Sequence, residues 1–131
     1  MLTRGGRTWT VEPPTQKSFW EKFLQWAASY EIDYYVGRKI PAWLQEEGLS
    51  DISSEGHAIL YNGGSPFARW WVYGIGEVAD RLEREGGLPA ETLAEFFRLY
   101  ADPSYWTTTI AFTATTARLP RAEAAAALPQ G

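Results

Sequence analysis

Any chemistry this sequence supports rests on one imidazole, one carboxylate beside a proline pair and an abundance of large aromatic rings. His57 is the sole histidine, and its resting pKa near neutrality makes it the natural proton carrier. It sits in Glu55-Gly56-His57, with no Ser or Cys nucleophile placed by a recognisable motif. A surface or hydrogen-bonded structural histidine is the better reading, since a proton-abstracting base requires substrate to reach it. Glu12 closes a short β-rich run, and the carboxyl end of a strand is where open α/β sheets hold ligands. A solvated carboxylate ahead of Pro13-Pro14 is the equal alternative. Trp20, Tyr34, Tyr35, Tyr61, Trp70 and Trp71 are large enough to line an apolar pocket, although aromatic residues at helical spacing more often form core.

Other chemistries are excluded by composition. With no cysteine there is no disulfide framework, thiolate nucleophile or sulfur metal ligand. A single histidine builds none of the usual His-rich metal sites. Gly74-Ile75-Gly76 lies within a helical pattern with no strand before it, which reads as helix packing rather than a phosphate loop. Gly5-Gly6 precedes a strand, the wrong order for a nucleotide loop. The runs Glu83-Arg84-Glu85 and Gln45-Glu46-Glu47 read as solvated helix faces.

The chain has 131 residues, 45% of them apolar and 21% charged, an ordinary balance for one globular domain. Aromatic residues reach 15%, which suits a small core, a ligand pocket or an interface. The net charge is −4 and the twelve basic residues are scattered, which argues against a nucleic-acid surface. No segment is long enough to span a bilayer and no signal pattern opens the sequence, so a soluble cytoplasmic protein is expected.

The elements that must position these residues follow from periodicity and punctuation. Leu2-Thr3-Arg4-Gly5-Gly6 is a turn, and Arg7–Glu12 a short strand with little before it to pair with. Apolar residues Phe19, Trp20, Phe23, Leu24, Trp26, Ala27 and Tyr30 predict an amphipathic helix over 16–30, capped by Ser18 or Thr15. Residues 33–37 read as a helical turn or loop. A helix over 39–47 buries Ile40, Trp43 and Leu44 and stops at Gly48. Residues 49–61 are extended. Gly63-Gly64 turns the chain, Ser65 caps a helix whose first residue is Pro66, and Phe67, Trp71, Gly74, Ile75, Val78 and Leu82 form its inward stripe. A further helix covers 89–101 and a strand 105–118. The alanine-rich tail over 120–131 is a frayed helix or disordered, leaving one domain over 1–119.

Four motifs in order resemble the distal half of a class I S-adenosylmethionine-dependent methyltransferase. Leu2-Thr3-Arg4-Gly5-Gly6 with Val11-Glu12 resembles the turn and fifth strand, with Arg4 where proline is usual. Gly37-Arg38-Lys39-Ile40-Pro41-Ala42-Trp43-Leu44 and Glu47-Gly48-Leu49 resemble the helix before the sixth strand. Gly63-Gly64-Ser65-Pro66 with Trp70-Trp71 resembles the insert after that strand, and Asp102-Pro103-Ser104-Tyr105-Trp106 introduces the seventh.

The resemblance implies an α/β fold: a small three-stranded mixed sheet, its last strand antiparallel between the other two, with helices on both faces. It implies the acceptor side of the enzyme, with substrate-binding residues Glu12, Trp20, Tyr35, Arg38, Tyr61 and Trp70. Arg38 matches a recurring arginine of the family motif, with an internal carboxylate as its other partner. The family's cofactor is S-adenosylmethionine. Its glycine-rich loop and the acidic residue for its ribose have no counterpart here, so this chain alone is expected to bind no cofactor and to be inactive. Expected partners are a small-molecule acceptor and either an N-terminal half or a second copy pairing through the exposed first strand. The alternative is a non-catalytic small-molecule-binding or dimerisation module derived from the same fold.

Overall fold

A computed structural model describes residues 13–120 and, as backbone, the short strands β1 (Thr3–Arg4) and β2 (Arg7–Thr8). Most of the expected first strand, Glu12 and the alanine-rich tail beyond residue 120 lie outside the described residues. The chain divides into two compact units, one of residues 1–33 with 60–108, the other of 34–59 with 109 onward.

The first unit is helical. β1 and β2 pair antiparallel, Thr3 opposite Thr8 and Arg4 opposite Arg7, so the strand expected to lack a neighbour has one over these two residues. Helix α1 (Pro14–Ser29) begins earlier than its apolar periodicity suggests, because Pro14 takes the first position and Pro13 the cap. Neither Thr15 nor Ser18 caps it; no side chain does. Pro13 has no side-chain oxygen to cap with, and the fixed φ of Pro14 already suits the first turn.

After strand β4 (Tyr61–Asn62), Ser65 caps the long helix, accepting a hydrogen bond from the Ala68 amide at 3.4 Å. That helix, which we label α3 (Pro66–Arg84), buries Ala68, Trp71, Ile75 and Leu82. Gly74 does not join the inward stripe as expected; it is exposed, with open space where a Cβ would stand. Helix α4 (Ala90–Tyr100) buries Leu93, Phe96, Leu99 and Tyr100, and β5 (Trp106–Thr107) pairs antiparallel with β4.

The second unit is a ribbon with one short helix. The turn Val36–Arg38 leads into α2 (Ile40–Glu46), ended by Gly48 at φ 85°. Strand β3 (Ser50–Ala58) pairs antiparallel with β6 (Ala111–Arg118), with a register irregularity between Ser50 and Ser53. The expected buried stripe of α2 is not buried: Ile40 and Leu44 are half-covered and Trp43 is 49% exposed. A two-stranded ribbon is too narrow to enclose a helix face.

Among the described residues every sheet has two antiparallel strands, so the fold is α/β but the expected three-stranded mixed sheet is not formed there. The strands expected over 49–61 and 105–118 are each interrupted, at 59–60 and 108–110. Short ladders follow from those breaks, since an interrupted strand cannot template a continuous third neighbour.

Two glycines are required by close approach. A Cβ on Gly63 would run into the backbone carbonyls of Asp102 and Leu99, and one on Gly37 into the Thr113 side chain. Gly37→Ala is expected to destabilise the chain by about 1–3 kcal/mol, with Thr113→Ala in the same chain restoring most of the loss. Gly63→Ala, opposed by backbone that cannot rotate away, is expected at the top of that ~1–3 kcal/mol range with no such rescue. Urea denaturation of the three variants and the parent checks both.

Candidate functional site

Ring packing in the helical unit brings three of the six expected site residues together. The indole of Trp20, half-buried on α1, meets Trp71 edge-on at 4.8 Å. Trp71 is followed by Trp70 at 4.9 Å, Trp70 stacks on Phe67 at 5.7 Å, and Phe67 meets Tyr61 edge-on at 4.8 Å. Trp20, Trp70 and Tyr61 thus belong to one wall of rings whose connecting members are Trp71 and Phe67. The helical repeat accounts for Phe67, Trp70 and Trp71 sharing a region, since residues three and four apart adjoin.

The members of this wall differ in exposure. Trp70 is 58% exposed, whereas Tyr61 is 4% exposed and its hydroxyl shares a 2.8 Å hydrogen bond with that of Tyr100. Tyr61 therefore holds the wall to α4, and Trp70 presents its outer surface. Sequence reasoning passed over Gln16, which is fully buried at the start of α1 with its side-chain amide unpartnered. Its place one helical turn before Phe19 and Trp20, on the apolar face, was the available signal.

Tyr35 and Arg38 lie in the other unit, where the Arg38 guanidinium stands 5.2 Å from the centre of the Tyr35 ring. Arg38 also lines an open hollow of about 600 Å³ with Gln45, Ser50, Asp51 and Ile52. Of the six expected residues only Arg38 is in that hollow. Glu12 lies outside the described residues. His57 is on the surface, its Nε2 3.2 Å from a Glu55 carboxylate oxygen, both side chains largely exposed. That surroundings-free geometry matches a surface histidine.

The Glu85 carboxylate serves packing. Glu85 Oε2 accepts hydrogen bonds from the Tyr30 hydroxyl at 2.5 Å and the Trp26 indole N–H at 2.9 Å, and Arg81 stands 3.7 Å from its other oxygen. Arg81 also lies over the Tyr30 and Trp26 rings, at 4.7 and 5.5 Å from their centres. This group ties the last turn of α1 to the end of α3.

Among the described residues no group of three or more His, Asp or Glu side chains is arranged to hold a metal ion, and no helix is long and apolar enough to cross a membrane. No family model matches the chain, and neither curated proteins nor solved structures provide a match.

The hydrogen bond from Tyr30, then that from Trp26, lowers the pKa of Glu85 below the usual carboxylate range, with Arg81 contributing less. A carboxyl depressed on folding adds stability above its unfolded pKa and loses it as the pH falls through the folded value. The denaturation midpoint of Glu85→Gln is therefore expected below that of the parent near neutrality. The gap should close as the pH falls from about 7 to about 3, measured by urea titration at each pH.

Proposed function

We propose that this chain is the acceptor-side portion of a class I S-adenosylmethionine-dependent methyltransferase, contributing substrate-pocket walls and no donor site. The observation that carries the reading is the ring wall, because Trp20, Tyr61 and Trp70, chosen from the family resemblance, adjoin through Phe67 and Trp71. The antiparallel pairing of β3 with β6 supports it, since the resemblance expects the last strand antiparallel to its predecessor.

When held by a donor-binding half, S-adenosylmethionine would supply an electrophilic methyl group for in-line displacement by the acceptor. Positioning supplies most of the acceleration in such a step, and the wall's part is to orient the acceptor and exclude water. S-Adenosylmethionine itself is held by the family's glycine-rich loop, for which this sequence has no counterpart, so the chain alone is inactive. The partner that completes the site is an N-terminal, donor-binding half, and the setting is cytoplasmic.

A second reading, a non-catalytic binding or dimerisation module, is favoured by one observation. In the ribbon unit no described residue is buried, and Tyr35 and Trp43 are about half exposed. Exposed rings of this size mark surfaces that other chains cover.

Titration calorimetry with S-adenosylmethionine tests the first reading. No saturable heat is expected from the isolated chain, and stoichiometric binding would overturn the absence of a donor site. Sedimentation velocity over a range of concentrations tests the second, where a dimer or larger species is expected and a monomer at high concentration removes that reading.

A further inference from the structure

The ring wall adjoins a set of polar atoms that the protein leaves without partners. Gln16 is 0% exposed, and neither the nitrogen nor the oxygen of its side-chain amide has a hydrogen-bond partner. The Thr15 hydroxyl and the Trp71 indole N–H are also buried and unpartnered. Gln16 precedes Trp20 by one helical turn and shares its face, and Trp20 packs on Trp71. Orphaned buried groups are costly, because each has given up water without recovering a hydrogen bond. Native domains keep few of them, and those retained have a cause, such as strain, a catalytic role or a bound water or ion.

We infer that Thr15, Gln16 and the Trp71 indole form the polar end of the acceptor site, and that the acceptor is a neutral aromatic molecule bearing an amide. The inference rests on the acceptor-side reading above and deepens it by naming the substrate class. The chemistry of the orphans selects that class. The Trp71 indole only donates, the Gln16 amide both donates and accepts, and the Thr15 hydroxyl does either. They call for a ligand oxygen that accepts and a ligand N–H that donates, which a carboxamide presents side by side. None of the three is charged, so a carboxylate or ammonium group would lose its hydration with no counter-ion. The aromatic part of the ligand meets Trp20 and Trp71 by ring contact. Because Gln16 is closed to solvent, entry requires the half-buried Trp20 ring to move.

The competing occupant is a trapped water, which satisfies such atoms in many interiors. Titrating the full chain with benzamide, benzoate and toluene, while following the indole N–H resonances by NMR, separates the possibilities. Benzamide is expected to shift saturably the resonance that disappears in Trp71→Phe. It is expected to bind about ten-fold more tightly than toluene or benzoate, the scale of one net hydrogen bond. Gln16→Leu is expected to bind benzamide and toluene about equally and to melt no lower than the parent.

The inference is overturned if benzamide gives no saturable shift, if benzoate or toluene binds as tightly, or if Gln16→Leu retains the preference. A clearly lowered melting temperature in Gln16→Leu also overturns it, since the amide then serves a structural water or partner. Toluene binding without preference for benzamide removes only the polar end and leaves the acceptor wall. Binding of none of the three removes both.

Discussion

Ring-against-ring packing across α1, α3 and α4 is the interaction on which the helical unit depends. Phe19 stacks on Phe96 at 4.5 Å, Phe96 lies 4.2 Å from Tyr100, and Trp20 reaches Trp71 at 4.8 Å. Phe19, Phe96, Trp71 and Tyr100 are almost wholly buried. A small unit has little interior, and large flat side chains bury the most surface per residue placed there. The same packing fixes where the candidate acceptor wall stands, because Trp71 is at once a core residue and the link between Trp20 and Trp70. Core and site therefore share side chains.

The ribbon unit is built on a different principle. Backbone pairing between β3 and β6 supplies its order, and no described side chain there is buried. Its last strand, Ala111-Phe112-Thr113-Ala114-Thr115-Thr116-Ala117, carries no charge before Arg118, whereas β3 carries Asp51, Glu55 and His57. Charges and irregular register are the usual protections of a strand at a sheet edge, and their lack is usual for a strand with neighbours on both sides.

Between these extremes lies the start of α1, where strong local signals and unsatisfied chemistry meet. Pro13 and Pro14 set the helix entry, and the next two residues bury polar groups with nothing to bond. A sequence selected for stability alone would place a leucine at position 16. Violations of local consistency of this kind concentrate where function is exerted.

The amino-acid sequence by itself determined the local elements. Ser65-Pro66 and Gly48 bound helices through backbone chemistry that needs no tertiary contact, and the 3.6-residue spacing of Phe19, Phe23, Trp26 and Ala27 selected their buried face. That residues 50–58 and 111–118 are extended was legible in alternation and β-branched composition, whereas their antiparallel pairing was expected only from the resemblance. Tertiary structure alone decided which aromatic residues became core and which became surface. Tyr61 and Trp70 read alike in sequence, yet one is locked against Tyr100 and the other is open. Periodicity reports which residues share a face, but not whether a second element exists to cover it. For that reason the stripe on α2 was misread as buried, and Gln16, polar in type and interior in place, was passed over.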